Sequence, residues 1–247
     1  MTCYWLEQTE ADVPAENDWL SDSEAFHLVG MRVPKRRADW RLGRWTAKRA
    51  IAVYLQLPTD PGTLASIEIR PAPSGAPEVF LANRPAALAI SLSHRGGTGL
   101  CAVGSSGVEL GCDLELIEPR SDSFIADYFT FEEQALIASA DAADRFCLLA
   151  LLWSAKESTL KTLRTGLRVD TRCVTVRPAD TRKPPVHHLD YESSGWRPLT
   201  THCGDGRTFH GWWQQTGDLV RTLVAAPPQP PPIQLRVRQL EQLEKAG

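Results

Sequence analysis

Twice along this chain a stretch with helical periodicity is followed by strand-like runs, and that repeated order is the strongest constraint on its fold. In residues 34–54, Trp40, Gly43, Ala47, Ala50 or Ile51, and Tyr54 recur at steps of three and four, the spacing of a buried helical face. Leu57-Pro58-Thr59-Asp60-Pro61-Gly62 stops that helix, and the proline-rich stretch 70–77 reads as a loop. Strand-like runs follow at 88–93, 99–104 and 108–117, the first two joined by a turn at Arg95-Gly96-Gly97. The second half opens with Thr130-Phe131-Glu132-Glu133, a capping box in which threonine and the glutamate three residues on satisfy open backbone amides. Asp141 is the expected cap of the next helix, where Phe146, Leu149, Leu152 or Trp153, Leu160 and Leu163 keep the period. Strand character returns at 173–176, 208–213 and 219–225. The expected division is an N-terminal lobe 1–118, a C-terminal lobe 119–226, and a tail 227–247 made of a polyproline spacer and a short helix from Ile233 to Lys245.

The whole-chain numbers mostly exclude. A length of 247 residues, 43% hydrophobic and 23% charged, describes a globular chain able to bury a core. A net charge of −3 gives no global pull toward nucleic acid, so a basic site has to be local. The longest apolar runs, such as 146–153, are far short of the roughly 20 residues of a membrane span. The opening Met1-Thr2-Cys3-Tyr4-Trp5-Leu6-Glu7 has no basic region ahead of an apolar core, so no secretory signal is expected and the cytoplasm is the expected compartment. Six scattered cysteines without a CxxC pair read as reduced thiols, not as a disulfide framework or zinc site. The expected state is a monomer.

Two short segments carry the chemistry. In Leu110-Gly111-Cys112-Asp113-Leu114-Glu115-Leu116 the period of two places Leu110, Cys112, Leu114 and Leu116 on one face and both carboxylates on the other. Their roots lie roughly 6–7 Å apart, close enough to share one hard cation, and oxygen-only ligands favour magnesium or manganese over zinc. The same pattern describes the wet face of a half-buried strand. In Trp153-Ser154-Ala155-Lys156-Glu157-Ser158-Thr159-Leu160-Lys161 the four-residue step puts Trp153, Glu157 and Lys161 on one helical stripe, with Lys156 on the next. A carboxylate between two lysines suits a metal ligand facing a phosphate; it also suits an ordinary helical ion pair.

Arg37, Arg41, Arg44 and Lys48 form a basic stripe on the first helix, thickened by Lys35 and Arg36. Such a stripe is either a solvated face or a phosphate site, for which the arginine fork is well shaped. Ser93-His94, at a strand end before two glycines, offers further donors. His187-His188 and Trp212-Trp213 find no partner in the sequence and read as structural.

Taken in order, these segments resemble the 4′-phosphopantetheinyl transferase family, in its longer, single-chain surfactin-synthetase-activating form. Leu42-Gly43-Arg44 resembles its basic helix motif, Gly75-Ala76-Pro77 its Gly-Lys-Pro loop, and Leu92-Ser93-His94 its Ile-Ser-His motif. The Gly111 to Glu115 strand resembles Gly-Ile-Asp-Ile-Glu, and Trp153 to Lys161 resembles Trp-Ser-x-Lys-Glu-Ser-x-x-Lys. The resemblance runs roughly over residues 32–176. It implies an α+β fold of two similar lobes related by a pseudo-twofold, with coenzyme A in the cleft between them. It implies transfer of the phosphopantetheine arm from coenzyme A to a serine of an apo acyl or peptidyl carrier protein.

By the same resemblance Asp113, Glu115 and Glu157 would hold magnesium (manganese as a substitute), two from the first lobe and one from the second. Glu157 would also take the serine proton, directly or through a bound water. Lys161 would stabilise the leaving 3′,5′-ADP, Lys156 would sit near the phosphates, and Lys35, Arg37, Arg44, Gly75, Ser93 and His94 would bind the nucleotide. The chain departs from the pattern at Ala76, where the family has lysine, and at Leu163-Arg164-Thr165-Gly166, where it has a Gly-Lys-Gly turn. The residues alone leave open a magnesium-dependent pyrophosphate hydrolase acting on nucleotides, and a carrier-binding relative without catalysis.

Overall fold

The structure, a computed structural model, describes residues 2–178 and 195–237. Strand β1 (Tyr4–Thr9) leads to helices α1 (Asp22–Gly30), α2 (Pro34–Tyr54) and α3 (Pro61–Ser66). Strands β2 (Ile67–Pro71), β3 (Pro77–Leu81), β4 (Arg84–Pro85), β5 (Leu88–Arg95), β6 (Thr98–Ser105) and β7 (Glu109–Leu116) follow. Then come helices α4 (Asp122–Tyr128), α5 (Phe131–Ser139) and α6 (Arg145–Thr162). Strands β8 (Val174–Pro178), β9 (Arg197–Cys203), β10 (Thr208–Thr216), β11 (Leu219–Ala226) and β12 (Ile233–Gln234) end the described chain. The result is the expected mixture of helices and sheets.

Among the described residues the strands form three sheets, ordered β12-β1-β6-β5, β7-β11-β10-β9-β8, and β2-β3-β4. This corrects the expected division at residue 118. Strand β7 pairs antiparallel with β11, Asp113 opposite Thr222 and Glu115 opposite Val220, so it belongs to the second sheet. It meets the first sheet through side chains of β5: Ser91 Oγ accepts from Cys112 N at 2.9 Å, and Ser93 Oγ donates to Asp113 Oδ1 at 2.7 Å. The tail is corrected too. Residues 233–234 form a strand parallel to β1, Leu235 and Val237 pack on the first core, and Gln229 O accepts from Trp212 Nε1; the rest of the expected helix lies outside the described residues, as do His187 and His188.

Each half is organised around one long helix. Helix α2 begins on Pro34, which suits a first turn where no amide partner is needed. Its buried positions are Leu42, Trp45, Thr46, Ala47, Lys48, Ala50, Ile51 and Ala52, a broader face than the sequence spacing predicts, because a sheet and α1 both cover it. Helix α6 is buried almost all round from Leu149 to Lys156, as a helix with apolar residues on every side must be. Its N-terminus is Arg145 after a turn at Asp141–Asp144, so Asp141 does not cap it; the Asp141 carbonyl accepts from Asp144 N and Arg145 N.

Both long helices carry a fully buried lysine joined to a capping-box glutamate. Lys48 Nζ meets Glu24 Oε2 at 2.5 Å and donates to Trp19 O and Leu64 O, both at 3.0 Å; Glu24 Oε1 accepts from Ile69 N at 3.2 Å. Lys156 Nζ meets Glu133 Oε2 at 2.8 Å and donates to Thr171 O at 3.0 Å and to Val174 O; Glu133 Oε1 accepts from Val176 N at 2.8 Å. Ser21 and Thr130 close the two capping boxes. Burial lowers the pKa of both lysines and the paired glutamate opposes it.

Helix α6 lies on β7 so closely that Gly111 has no room for a side chain: a Cβ there would stand 1.9 Å from Ser158 O and 2.8 Å from Thr162 N. Both are backbone atoms and cannot swing aside. Gly111→Ala is expected to destabilise the fold by about 3 kcal/mol or more, as overpacking against backbone does, read as a lower urea midpoint.

Candidate active site

The seam between β5, β7 and α6 gathers the charged residues singled out in the sequence. The alternation of β7 holds, but its carboxylate face is not wet. Asp113 is 3% exposed and Glu115 9%, covered by α6. Lys161 Nζ, one turn beyond Glu157, donates to Asp113 Oδ1 at 2.7 Å and to Cys112 O at 3.0 Å, and lies 3.8 Å from Glu157 Oε2. Trp153 Nε1 donates to Glu115 Oε1 at 3.1 Å. Arg120 Nη2 donates to Glu115 Oε2 at 3.0 Å, and Arg95 Nε stands 3.4 Å from the same oxygen. All three carboxylates come from β7 and α6, not from two lobes as expected; the first sheet contributes Ser93.

The electrostatics follow from packing negative charge out of water. Burial, then Asp113, then Glu115 push the Glu157 carboxyl up to about 7, although Lys161 opposes the shift. Glu115 is raised by burial and Asp113, with Arg95 and Arg120 pulling back. Burial works against the Lys161 ammonium, but Asp113 and Glu157 outweigh it and its pKa rises. Asp113 Oδ2 is buried without a hydrogen-bond partner among the described residues.

A hard divalent cation suits this donor set: three neighbouring carboxylates, of which Glu115 and Glu157 are raised by burial and by the charge of Asp113, and one buried oxygen with no partner among the described residues. The set is not pre-formed. Among the described residues no three His, Cys, Asp or Glu side chains already stand in a ligating cluster, because Glu115 is drawn toward the arginines and Trp153.

Beside the seam lies a cavity of about 780 Å³, walled by the β2–β3 hairpin, β5 and the turn after α6. Of the expected nucleotide-binding residues, Arg44, Gly75 and Lys161 line it. Gly75 sits at the hairpin tip with φ +85°, a conformation glycine adopts without strain. The others lie elsewhere. Lys35 ion-pairs with Asp39 at 3.3 Å, and His94 Nε2 is 3.7 Å from the same carboxylate. Arg37 Nη1 reaches Leu28 O at 3.4 Å. Ser93 is spent on Asp113. Lys156 is 0% exposed and held by Glu133, so it faces away from any phosphate at the seam. The basic stripe of α2 is likewise divided: Lys48 is buried, Arg41 donates to the carbonyls of Ala15 and Glu16, and Arg44 lies 3.5 Å from Glu24 and over Trp40. Sequence reasoning missed Arg95 and Arg120; the run Glu118-Pro119-Arg120 just past the strand was the available signal.

Carboxylates with a lysine among them, beside a basic cavity, form an arrangement suited to phosphate chemistry. Residues 109–209, which contain β7 and α6, match the family described as the 4′-phosphopantetheinyl transferase superfamily. A solved structure of Helicobacter pylori holo-[acyl-carrier-protein] synthase in complex with coenzyme A aligns at 18% identity, covering 42% of this chain and 100% of its own, with a TM-score of 0.30. No curated protein sequence matches the chain.

Proposed function

We propose that this protein transfers 4′-phosphopantetheine from coenzyme A to a serine of an apo acyl or peptidyl carrier protein, with magnesium. The observation that carries the reading is the Asp113, Glu115, Glu157 and Lys161 group, lying inside the matched segment and next to the basic cavity. Asp113, Glu115 and Glu157 are the residues to hold the cation. When bound, it neutralises the pyrophosphate and polarises the phosphorus under attack.

The protein's own groups do the rest. A carboxyl with its pKa at about 7 is matched to accepting a proton at neutral pH, so Glu157 takes the serine hydroxyl proton as that oxygen bonds to the β-phosphorus. The bond from this phosphorus to the bridging oxygen breaks, and 3′,5′-ADP leaves with the electron pair. Lys161, kept cationic by Asp113 and Glu157, offsets the charge gathering on the leaving group. Nucleotide contacts are assigned to Arg44 and Gly75 in the cavity wall.

The reading is tested by intact-mass spectrometry of an apo carrier protein incubated with the enzyme, coenzyme A and magnesium. The expected result is a gain of roughly 340 Da, one phosphopantetheine, abolished by chelator and restored by magnesium. Coenzyme A cleaved without carrier modification would establish the hydrolase instead. Intact coenzyme A and unmodified carriers would leave a non-catalytic binder.

A further inference from the structure

The cavity beside the seam is lined by five cations, Arg44, Arg70, Lys161, Arg164 and Arg168, against one carboxylate, Glu78. Three of the five are already engaged. Arg44 lies near Glu24, Arg70 is paired with Glu68 at 2.5 Å, and Lys161 is paired with Asp113. Arg164 and Arg168 are exposed, and neither guanidinium has a hydrogen bond or ion pair with a described residue. Both stand on the turn that follows α6, facing the hairpin tip, and Arg168 Nη2 is 3.5 Å from where a Cβ on Gly75 would be.

The backbone of that turn supplies a second, independent observation. Arg164 N donates to Lys161 O at 3.0 Å and Thr165 N to Leu160 O at 3.1 Å, the paired bonds that close a helix through a left-handed residue. That residue is Arg164, at φ +57°. Glycine is the usual occupant because a side chain is disfavoured there, and a glycine stands two positions on at Gly166. Strain held at one residue whose side chain opens into a cavity points to use of the side chain.

We propose that Arg164 and Arg168 form an anion clamp closing the cavity from the α6 side, binding the phosphates at the nucleotide end of coenzyme A. The clamp supplies the positive charge that the hairpin lacks at Ala76. This rests on the functional reading above and deepens it. Two unpaired guanidiniums on one turn present bidentate donors that a point-charge lysine at position 76 would not. The strain at Arg164 sets stability against binding.

The test is calorimetric titration of coenzyme A and of 3′,5′-ADP into wild type, Arg164→Gly, Arg164→Lys and Arg168→Ala, with a thermal melt of each. Arg164→Gly is expected to melt a few degrees higher and to bind both ligands about tenfold more weakly. Arg168→Ala should show the same loss with little change in Tm. Arg164→Lys, which keeps the charge but not the fork, should lose affinity to an extent between wild type and Arg164→Gly. A turn with only a structural role would move Tm alone, so unchanged affinity in Arg164→Gly and Arg168→Ala overturns the clamp. A loss confined to coenzyme A, with 3′,5′-ADP binding intact, overturns the phosphate assignment. Wild-type protein that binds neither ligand would remove the functional reading itself.

Discussion

Glu157→Gln is expected to reduce carrier modification by about a thousandfold or more while leaving the protein folded and slightly more stable. The loss follows from two roles in one side chain. Glutamine cannot accept the serine proton, a contribution of roughly a hundred to ten thousandfold in such enzymes, and it is a weaker donor to a hard cation. The stability gain follows from the cause of the raised pKa. Ionising Glu157 is opposed by burial and by Asp113 and Glu115, so the neutral isostere removes an unfavourable charge. At pH 8, without metal, the unfolding midpoint of the variant should therefore be at or above that of wild type. Initial rates by mass spectrometry and a thermal melt check both halves. A variant that keeps a tenth of the rate would move the proton acceptor to another group.

Lys156→Met should do the reverse. It should destabilise the protein by about 3–5 kcal/mol, because it leaves Glu133 buried without its partner. It should leave coenzyme A affinity unchanged in the folded fraction. Urea unfolding and calorimetry separate these effects. The resemblance alone places Lys156 near the phosphates and would have the affinity fall first; the burial of Lys156 and its contacts with Thr171 O and Val174 O say otherwise. Replacing both members with apolar residues, Lys156→Met with Glu133→Leu, should restore much of the loss, since the penalty is that of a lone buried charge.

The contrast between those two adjacent residues shows what the sequence can and cannot disclose. Helix α2 runs over the expected 34–54, because Pro34 and the break at Leu57-Pro58 are local signals. The period of two in β7 and the capping box at Thr130 are equally local, and both are found as expected. Whether Lys156 or Glu157 faces the site depends on Glu133 arriving from another helix, which no spacing within α6 encodes. Helix α1 was missed although Ser21-x-x-Glu24 has the same capping signature as Thr130-x-x-Glu133. Its Phe26 and Val29 are exposed and blur the apolar stripe. Strand β9 was missed because Arg197-Pro198 opens it and threonine and histidine fill it. The membership of β7 in the second sheet is a pairing with β11 about a hundred residues away, fixed by tertiary structure alone.

The twin buried lysines give the two halves a common ruler. The interval from Lys48 to Lys156 is also the interval from Trp45 to Trp153, and it carries Arg49 onto Glu157. Arg49 lies over the Trp45 ring, 5.0 Å from its centroid, whereas at the matching step the second half places an acid beside Lys161. The anchoring positions are alike where charge is sealed from solvent, and opposite in sign one residue further on, where solvent still reaches. The same buried lysine–glutamate anchor thus occurs in both halves, and under the proposed function the second of them braces the helix that carries Glu157. Among the described residues, the asymmetry between the halves is written at one helical position, Arg49 against Glu157.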